Sequence, residues 1–177
     1  MKNKKVLFIA QTAGIAAMYA ALTYAQNLLL PGTTSAAVQF RVSEALNVLA
    51  LFTPAAIPGL TLGCVLSNLV NIGAGLPLDM LFGSLATLGA TGCMYALRHV
   101  KIKDYPLLSL LMPALWNGVI VGWEIEVFFI DGKFNWISFL TQGGLVALGE
   151  LGVMLVLGTL LYVVIVKRKL DQKLFSK

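Results

Sequence analysis

The chain has 177 residues, of which 58% are hydrophobic and only 12% are charged, and its formal net charge is +5. Soluble domains are about 45–50% apolar and about 25% charged, and so short a chain could not bury this much apolar surface in one soluble core. These values exclude a soluble globular domain and a disordered chain. They predict an integral membrane protein with room for about six spans of roughly 20 residues each.

The first predicted helix covers residues 6–30 and ends before Pro31 and Gly32, which stop helices. It follows a basic N-terminal tail, as a signal peptide would, but the apolar core of a signal peptide has only about 7–15 residues. The longer run predicts a membrane helix that is retained. Residues 31–40 are small and polar and predict a loop.

The next apolar stretch, residues 42–72, is too long for one span and contains Pro54 and Pro58. We therefore divide it into two short helices, and the remaining chain contains three more apolar stretches. The sequence thus predicts a single all-α integral membrane domain over residues 1–177, with six transmembrane helices at about 6–30, 41–53, 56–72, 78–97, 105–130 and 138–166.

The distribution of basic residues predicts the topology. Eleven of the 13 lie in three clusters, namely the N-terminal tail, residues 98–103 and the C-terminal tail from Lys167. Short cytoplasmic loops collect Lys and Arg. The three clusters share one side of the membrane only if residues 42–72 form two helices. The pattern therefore predicts six helices with both termini in the cytoplasm.

Polar side chains within spans are costly in lipid, so each is a candidate for function. In the predicted topology they gather in the outer half of the bundle. A channel or proton relay would need polar groups through the whole membrane thickness. The pattern therefore predicts a pocket that is open to the outside and closed below. The candidate substrate-binding residues are Glu44, Asn47, Asn71, Asp79, Trp116, Asn117 and Glu150, with Arg41, Asn68, Trp123 and Glu124 as further candidates.

Structural roles are open alternatives for several of these residues. Arg41 and Glu44 are three positions apart and could pair to support the pocket wall. Asn68 and Asn71 could join helices by hydrogen bonds. Glu150 is the hardest to explain structurally, because it is deep in the last span and has no basic residue nearby in sequence.

The aromatic and acidic residues of the fifth helix allow two interpretations. Trp116 adjoins Asn117, and its ring could stack on a planar ligand. Trp123 could instead belong to the aromatic belt at the membrane interface. Glu126 could lie at the membrane interface or in the site, and the sequence favours neither. It is two positions from Glu124, so the two side chains do not share a helix face.

The first helix carries a stripe of alanines at every fourth position, which gives a flat surface for close helix contact. Such stripes usually pack within their own bundle, but on a small carrier the stripe could equally bind a partner subunit. The stripe consists of Ala13, Ala17, Ala21 and Ala25.

Motifs for catalysis are missing from the sequence. It has no GxxxxGK[ST] loop, no HExxH and no GxSxG. Cys64, Cys93 and the single His99 are scattered, which argues against a metal site. The sequence therefore predicts a protein that is not an enzyme and holds no cofactor of its own.

Residues 39–69, QFRVSEALNVLALFTPAAIPGLTLGCVLSNL, closely resemble the queuosine-precursor transporter (QueT) family of substrate-binding S-components of energy-coupling factor (ECF) importers. The length and six-helix topology are also similar. The alanine stripe resembles the motif with which S-components contact the transmembrane coupling subunit.

The resemblance implies a protein of the bacterial cell membrane that captures a queuosine precursor or queuine from outside. It implies that residues 31–40 close over the ligand, and that the partners are a transmembrane T-subunit and two ATPase subunits that use ATP. Nucleic acid is not among the implied partners. The donor edge of a 7-deazaguanine suits a carboxylate, and the ammonium group of some precursors would need a second one.

Two alternatives stay open. The ligand could be another vitamin-like small molecule, because S-components share a fold and differ in their pockets. The protein could instead be a membrane scaffold subunit that binds no ligand. A membrane enzyme would need a nucleophile or metal cluster near the carboxylates, and the sequence contains neither.

Overall fold

The structure is a computed structural model that describes residues 3–33, 40–69, 77–103 and 105–175. Within these ranges the protein is a bundle of helices without a β-strand, which confirms the predicted all-α class. The elements are α1 (Lys4–Leu29), a 3₁₀ helix (Val42–Leu51), α2 (Ala56–Leu69), α3 (Pro77–Ala96), α4 (Leu107–Leu110), α5 (Met112–Glu124), a first π-helical turn (Ile125–Phe129), α6 (Trp136–Val153), a second π-helical turn (Met154–Gly158), α7 (Thr159–Lys167) and α8 (Leu170–Phe175).

The observed helices follow the predicted spans in order. Among the described residues, three helical stretches are long and apolar enough to cross a membrane: α1, Leu107–Phe129 and Trp136–Lys167. The 3₁₀ helix and α2 are shorter and also apolar. Residues 34–39 of the predicted first loop and residues 70–72 of the predicted third helix lie outside the described residues.

The second helix differs from an ordinary membrane helix because it is wound as a 3₁₀ helix. Its ten residues exceed the usual length of such helices, and eight of the ten are buried. In a 3₁₀ helix, side chains three positions apart lie directly in line. Arg41, which caps this helix, Glu44 and Asn47 thus form one polar row along it.

Two glycines of α2 allow α1 and α2 to come into close contact. A Cβ atom added at Gly63 would lie 2.7 Å from Cβ of Tyr19, and one added at Gly59 would lie 2.9 Å from the carbonyl oxygen of Thr12. These distances leave no room for a side chain on α2. The buried face of α1 therefore approaches the α2 backbone directly, with Ile15, Tyr19 and other side chains turned into the bundle.

Helices α5 and α6 also touch through glycines. A Cβ atom at Gly143 would lie 2.4 Å from the carbonyl oxygen of Gly118, and one at Gly122 would lie 2.6 Å from Cα of Gly143. The two backbones are in van der Waals contact at this crossing. The crossing fixes the position of α6, which carries Glu150 further along its length.

The two ends of the bundle differ in character. The side-chain amide of Gln11 donates to the carbonyl oxygen of Leu174 at 2.9 Å, so both chain termini lie at one end, here called the terminus end. Near it the rings of Phe52 and Tyr162 stack at 5.8 Å, and Tyr105 lies 6.3 Å from Tyr162. Apolar and aromatic side chains therefore fill this half of the bundle.

Candidate functional site

Polar side chains gather in the half of the bundle away from the termini, between α1, the 3₁₀ helix and α6. We call this group the polar cluster. Its two carboxylates are almost fully buried, with Glu44 2% exposed and Glu150 3% exposed. Burying a charged group is unfavourable unless it has an opposite charge or hydrogen-bond partners nearby. The partners of these groups therefore determine what the cluster can bind. The polar cluster consists of Tyr19, Arg41, Glu44, Asn47 and Glu150.

Glu44 is held in place by two donors from the protein. The hydroxyl of Tyr19 donates to one carboxylate oxygen, and the amide of Asn47 donates to the other at 2.5 Å. The second bond runs along the polar row of the 3₁₀ helix. Because both oxygens of Glu44 already accept a hydrogen bond, this carboxylate organises the cluster and fixes Tyr19 and Asn47.

Arg41 supplies the positive charge of the cluster. Its guanidinium interacts electrostatically with Glu44, with Glu150 and with the Tyr19 hydroxyl. The structure places Arg41 within electrostatic range of Glu44 and of Glu150, which is more than a hundred positions further along the chain, and the pairing of Arg41 with Glu44 stays a prediction. The 3₁₀ helix and α6 bring these groups together because their backbones pack against each other.

A second acidic group, here called the carboxylate pair, lies between α3 and α5. Glu124 is only 1% exposed, and its side chain interacts electrostatically with the neighbouring carboxylate of Asp79 and with Arg41. The amide of Asn68 donates to the backbone carbonyl of Asp79 at 3.1 Å and joins α2 to α3. The predicted helix-joining role of Asn68 therefore has a specific bond in the structure.

Several buried oxygen atoms of these two groups lack a donor. Among the described residues, no N–H or hydroxyl donor reaches Oδ1 of Asn47, Oε2 of Glu150 or either oxygen of Glu124, whose hydrogen-bond partner is the carboxyl group of Asp79. Buried polar atoms in folded proteins nearly always have partners. Oδ1 of Asn47 is an acceptor in any state and Oε2 of Glu150 is one when the carboxylate is ionised, so a ligand with donor groups suits these two atoms.

Glu126 has a role distinct from that of Glu124, although both are buried. One carboxylate oxygen of Glu126 accepts a hydrogen bond from the backbone N–H of Asn135 at 2.8 Å, immediately before α6. The helix passes from α to π winding directly after Glu124. Glu126 therefore ties the first π-helical turn to the start of α6.

Three sequence candidates on α5 have their described contacts outside the polar cluster. The indole of Trp116 packs against α3, because a Cβ atom at Gly89 would come within 2.5 Å of its ring. The amide of Asn117 donates to the carbonyl of Pro113 in its own helix at 3.0 Å. Trp123 is exposed and lines an apolar groove of about 590 Å³. The last candidate, Asn71, lies outside the described residues.

The sequence candidates omitted two residues that the structure connects to this region. Tyr19 is fully buried against Glu44. Gln26 holds both ends of the first loop: its amide donates to Thr33 Oγ1 at 3.0 Å and to the carbonyl of Phe40, and its oxygen accepts from the N–H of Val42 at 2.8 Å. A signal for both is their spacing on the face of α1 opposite the alanine stripe.

The alanine stripe itself takes no part in packing the bundle. All four of its residues are exposed, and a Cβ atom at the adjacent Gly14 would meet nothing within 4 Å. Buried residues such as Ala16 and Ala20 alternate with the stripe and face the core. Helix α1 thus presents one face to the bundle and a flat, small-residue face to its surroundings. The exposed residues are Ala13, Ala17, Ala21 and Ala25.

Known proteins similar to this chain are transporters. The profile of the QueT transporter family matches residues 9–167. The Queuosine precursor transporter QueT of Lactococcus lactis subsp. cremoris (strain MG1363) is 30% identical over 164 residues, which cover 85% of this chain and 87% of the relative. No solved structure is significantly similar to the chain.

Proposed function

The chain belongs to the QueT transporter family, whose members are multi-pass membrane transporters and not enzymes, and we propose that it captures a queuosine precursor or queuine in its polar cluster. In this proposal it acts as the S-component of an ECF importer. It binds the ligand from outside the cell and delivers it with the help of a coupling module that hydrolyses ATP.

The observation that carries this proposal is the set of unpartnered buried acceptors in the polar cluster. Oδ1 of Asn47 and Oε2 of Glu150 have no donor among the described residues, while each oxygen of Glu44 already accepts one hydrogen bond, from Tyr19 or Asn47. A 7-deazaguanine presents a ring N–H beside an exocyclic amine. Two donors of this kind suit the unpartnered oxygens of Glu150 and Asn47.

The two ends of the bundle are consistent with capture from one side. The carboxylates lie away from the terminus end, and apolar and aromatic side chains fill the half near the termini. We propose that the terminus end, which carries most of the basic residues, faces the cytoplasm. The polar cluster then lies in the outer half of the membrane, on the side where Gln26 binds Thr33 and Phe40.

Helix α1 offers a surface for the coupling module. Its alanine stripe is exposed along four turns and presents no bulky side chain. Close contact between membrane helices depends on such small residues, because lipid offers no hydrophobic driving force for association. We propose that the transmembrane T-subunit binds this stripe and that two ATPase subunits attach to the T-subunit.

A thermal-shift titration tests the capture role. The purified full-length protein in detergent is titrated with queuine, the two 7-deazaguanine precursors, guanine and thiamine. A ligand that binds only the folded state raises the melting temperature in proportion to its concentration and affinity. We expect a shift with the deazaguanines alone. A shift with thiamine alone would replace the proposed ligand, and no shift with any compound would favour a scaffold role.

A further inference from the structure

The side-chain amide of Gln26 bonds the backbone on both sides of Arg41. Gln26 lies near the end of α1 and is only 7% exposed. Its Nε2 donates to the carbonyl oxygen of Phe40, and its Oε1 accepts from the N–H of Val42 at 2.8 Å. One buried side chain therefore holds both of the peptide groups that flank Arg41.

This pair of bonds fixes the backbone conformation of Arg41. The residue is extended, with φ −96° and ψ 105°. In an extended chain, the carbonyl of one residue and the N–H two positions further on point to the same side, where a neighbouring β-strand would bond both. The amide of Gln26 takes the place of such a strand. It therefore sets the direction in which the Arg41 side chain leaves the backbone.

The polar cluster depends on that direction, because Arg41 is its one basic member. The guanidinium interacts electrostatically with both Glu44 and Glu150. A guanidinium presents its donors in a rigid planar fork, so its interactions depend on how it is aligned. The carbonyl of Arg41 also accepts from the N–H of Glu44 at 3.0 Å, which begins the 3₁₀ helix. A displaced Arg41 backbone would therefore move both the cation and the start of the polar row.

A purely structural role for Gln26 would be to hold the turn that follows α1. Its Nε2 does donate to Thr33 Oγ1 at 3.0 Å. However, Thr33 has bonds of its own, because its hydroxyl donates to the carbonyl of Leu30 at 2.8 Å and its carbonyl accepts from the N–H of Phe40 at 3.0 Å. The turn is thus held without Gln26, and the bonds around Arg41 need another explanation.

The segment that Gln26 holds also reaches α6. A Cβ atom added at Gly152 would lie 3.3 Å from the ring of Phe40, and Gly152 is two positions after Glu150. We propose that Gln26 is a positioning residue, which fixes Arg41 relative to Glu44 and Glu150 and thereby sets the affinity of the site without touching the ligand. This inference rests on the proposed function, because ligand affinity is its readout.

Two substitutions separate this role from support of the turn. Gln26→Met keeps a side chain of similar length and removes both polar atoms, so it should weaken binding of queuine at least tenfold in titration calorimetry on the full-length protein in detergent. Thr33→Val is the matched control, because it removes the third partner of Gln26 and leaves the bonds around Arg41 in place. It should change the affinity less than twofold. Gln26→Asn, which is too short to reach both peptide groups, replaces Gln26→Met if that variant does not fold.

A double-mutant cycle tests whether Gln26 acts through Arg41. Residues that act through one another have effects that do not add. Gln26→Met should therefore weaken queuine binding at least tenfold in the wild type but less than twofold in an Arg41→Gln background. A role in folding alone would not depend on Arg41 in this way. Arg41→Lys keeps the charge without a planar fork and carries the cycle if Arg41→Gln does not fold or binds too weakly to measure.

The outcomes separate the positioning role from the function on which it rests. Equal losses in Gln26→Met and Thr33→Val would assign Gln26 to the turn and overturn the inference. Normal affinity of Gln26→Met, or a tenfold loss in both backgrounds of the cycle, would overturn it as well, and in each of these cases the capture role stands. If the wild type itself does not bind queuine, the proposed function fails, and the inference fails with it.

Discussion

The two faces of helix α1 are built for different tasks. The inward face approaches the α2 backbone so closely that Gly63 has no room for a side chain, and its Tyr19 hydroxyl bonds Glu44 in the polar cluster. The outward face consists of exposed alanines and of Gly14, which touches nothing within 4 Å. One helix thus separates ligand recognition from partner contact, and substitutions on its two faces should fail in different ways.

The largest effect is expected on the outward face. The double substitution Ala17→Leu and Ala21→Leu adds bulk where the T-subunit is proposed to approach, and it should abolish uptake of labelled precursor by cells. Ligand affinity of the purified protein should change less than twofold, because neither residue faces the bundle. Uptake assays and calorimetry on the same variant separate the two properties.

Ala96→Leu, an exposed position on α3, is the control for added bulk in lipid and should leave uptake unchanged. Unchanged uptake by the double variant would contradict a coupling role for the stripe. Loss of ligand binding together with a lower melting temperature would show that the stripe supports the fold.

A smaller effect is expected in the polar cluster behind the inward face. Glu150→Gln removes the charge of a carboxylate with an unpartnered oxygen, and Glu44→Gln disturbs the group that holds Tyr19 and Asn47. Hydrogen bonds to charged groups contribute about 1.5–3 kcal/mol. Each substitution should therefore weaken ligand binding at least tenfold, as measured by calorimetry.

Asp131→Asn, at an exposed position between α5 and α6, is the matched change of charge and should not alter affinity. Normal affinity in both Glu150→Gln and Glu44→Gln would remove these residues from the site. An effect of Glu150→Gln alone would limit Glu44 to a structural role.

The smallest effect concerns stability and compares two glycines. Gly63→Ala would place a methyl group 2.7 Å from Cβ of Tyr19, and overpacking of this kind costs about 1–3 kcal/mol. Gly14→Ala places a methyl group in open space, and alanine favours a helix over glycine by about 1 kcal/mol. Unfolding in detergent should show lower stability for Gly63→Ala and equal or higher stability for Gly14→Ala. Equal stability of the two variants would mean that α1 and α2 are not in close contact.

Much of the fold could be predicted from the sequence because the apolar runs and their breaks are strong signals. The membrane class, the order of the helices and the split of residues 42–72 follow from length, prolines and charge. The winding of the second helix could not be predicted in this way. Its composition includes Ala45, Leu46 and Leu49, which favour an α-helix, yet the segment is wound as a 3₁₀ helix.

Site residues could be predicted where a side chain is unusual in a membrane span. They could not be predicted where the role of a side chain depends on its neighbours in the fold. Glu44 and Glu150 are costly in lipid and could be named from the sequence alone. The spacing of Tyr19 places it on the inward face of α1, but its bond to Glu44 could not be predicted, because tyrosines serve many purposes in membrane helices. The environment of Trp116 depends on Gly89 of another helix, and the distinct roles of Glu124 and Glu126 depend on contacts across the bundle.

The tight winding of the second helix also gives that segment a mechanical property. Ten residues rise about 20 Å as a 3₁₀ helix and about 15 Å as an α-helix. A change of winding would therefore shorten the segment by about 5 Å and rotate Asn47 by about 60° relative to Glu44. The 3₁₀ winding therefore sets both the length of this segment and the alignment of Asn47 with Glu44.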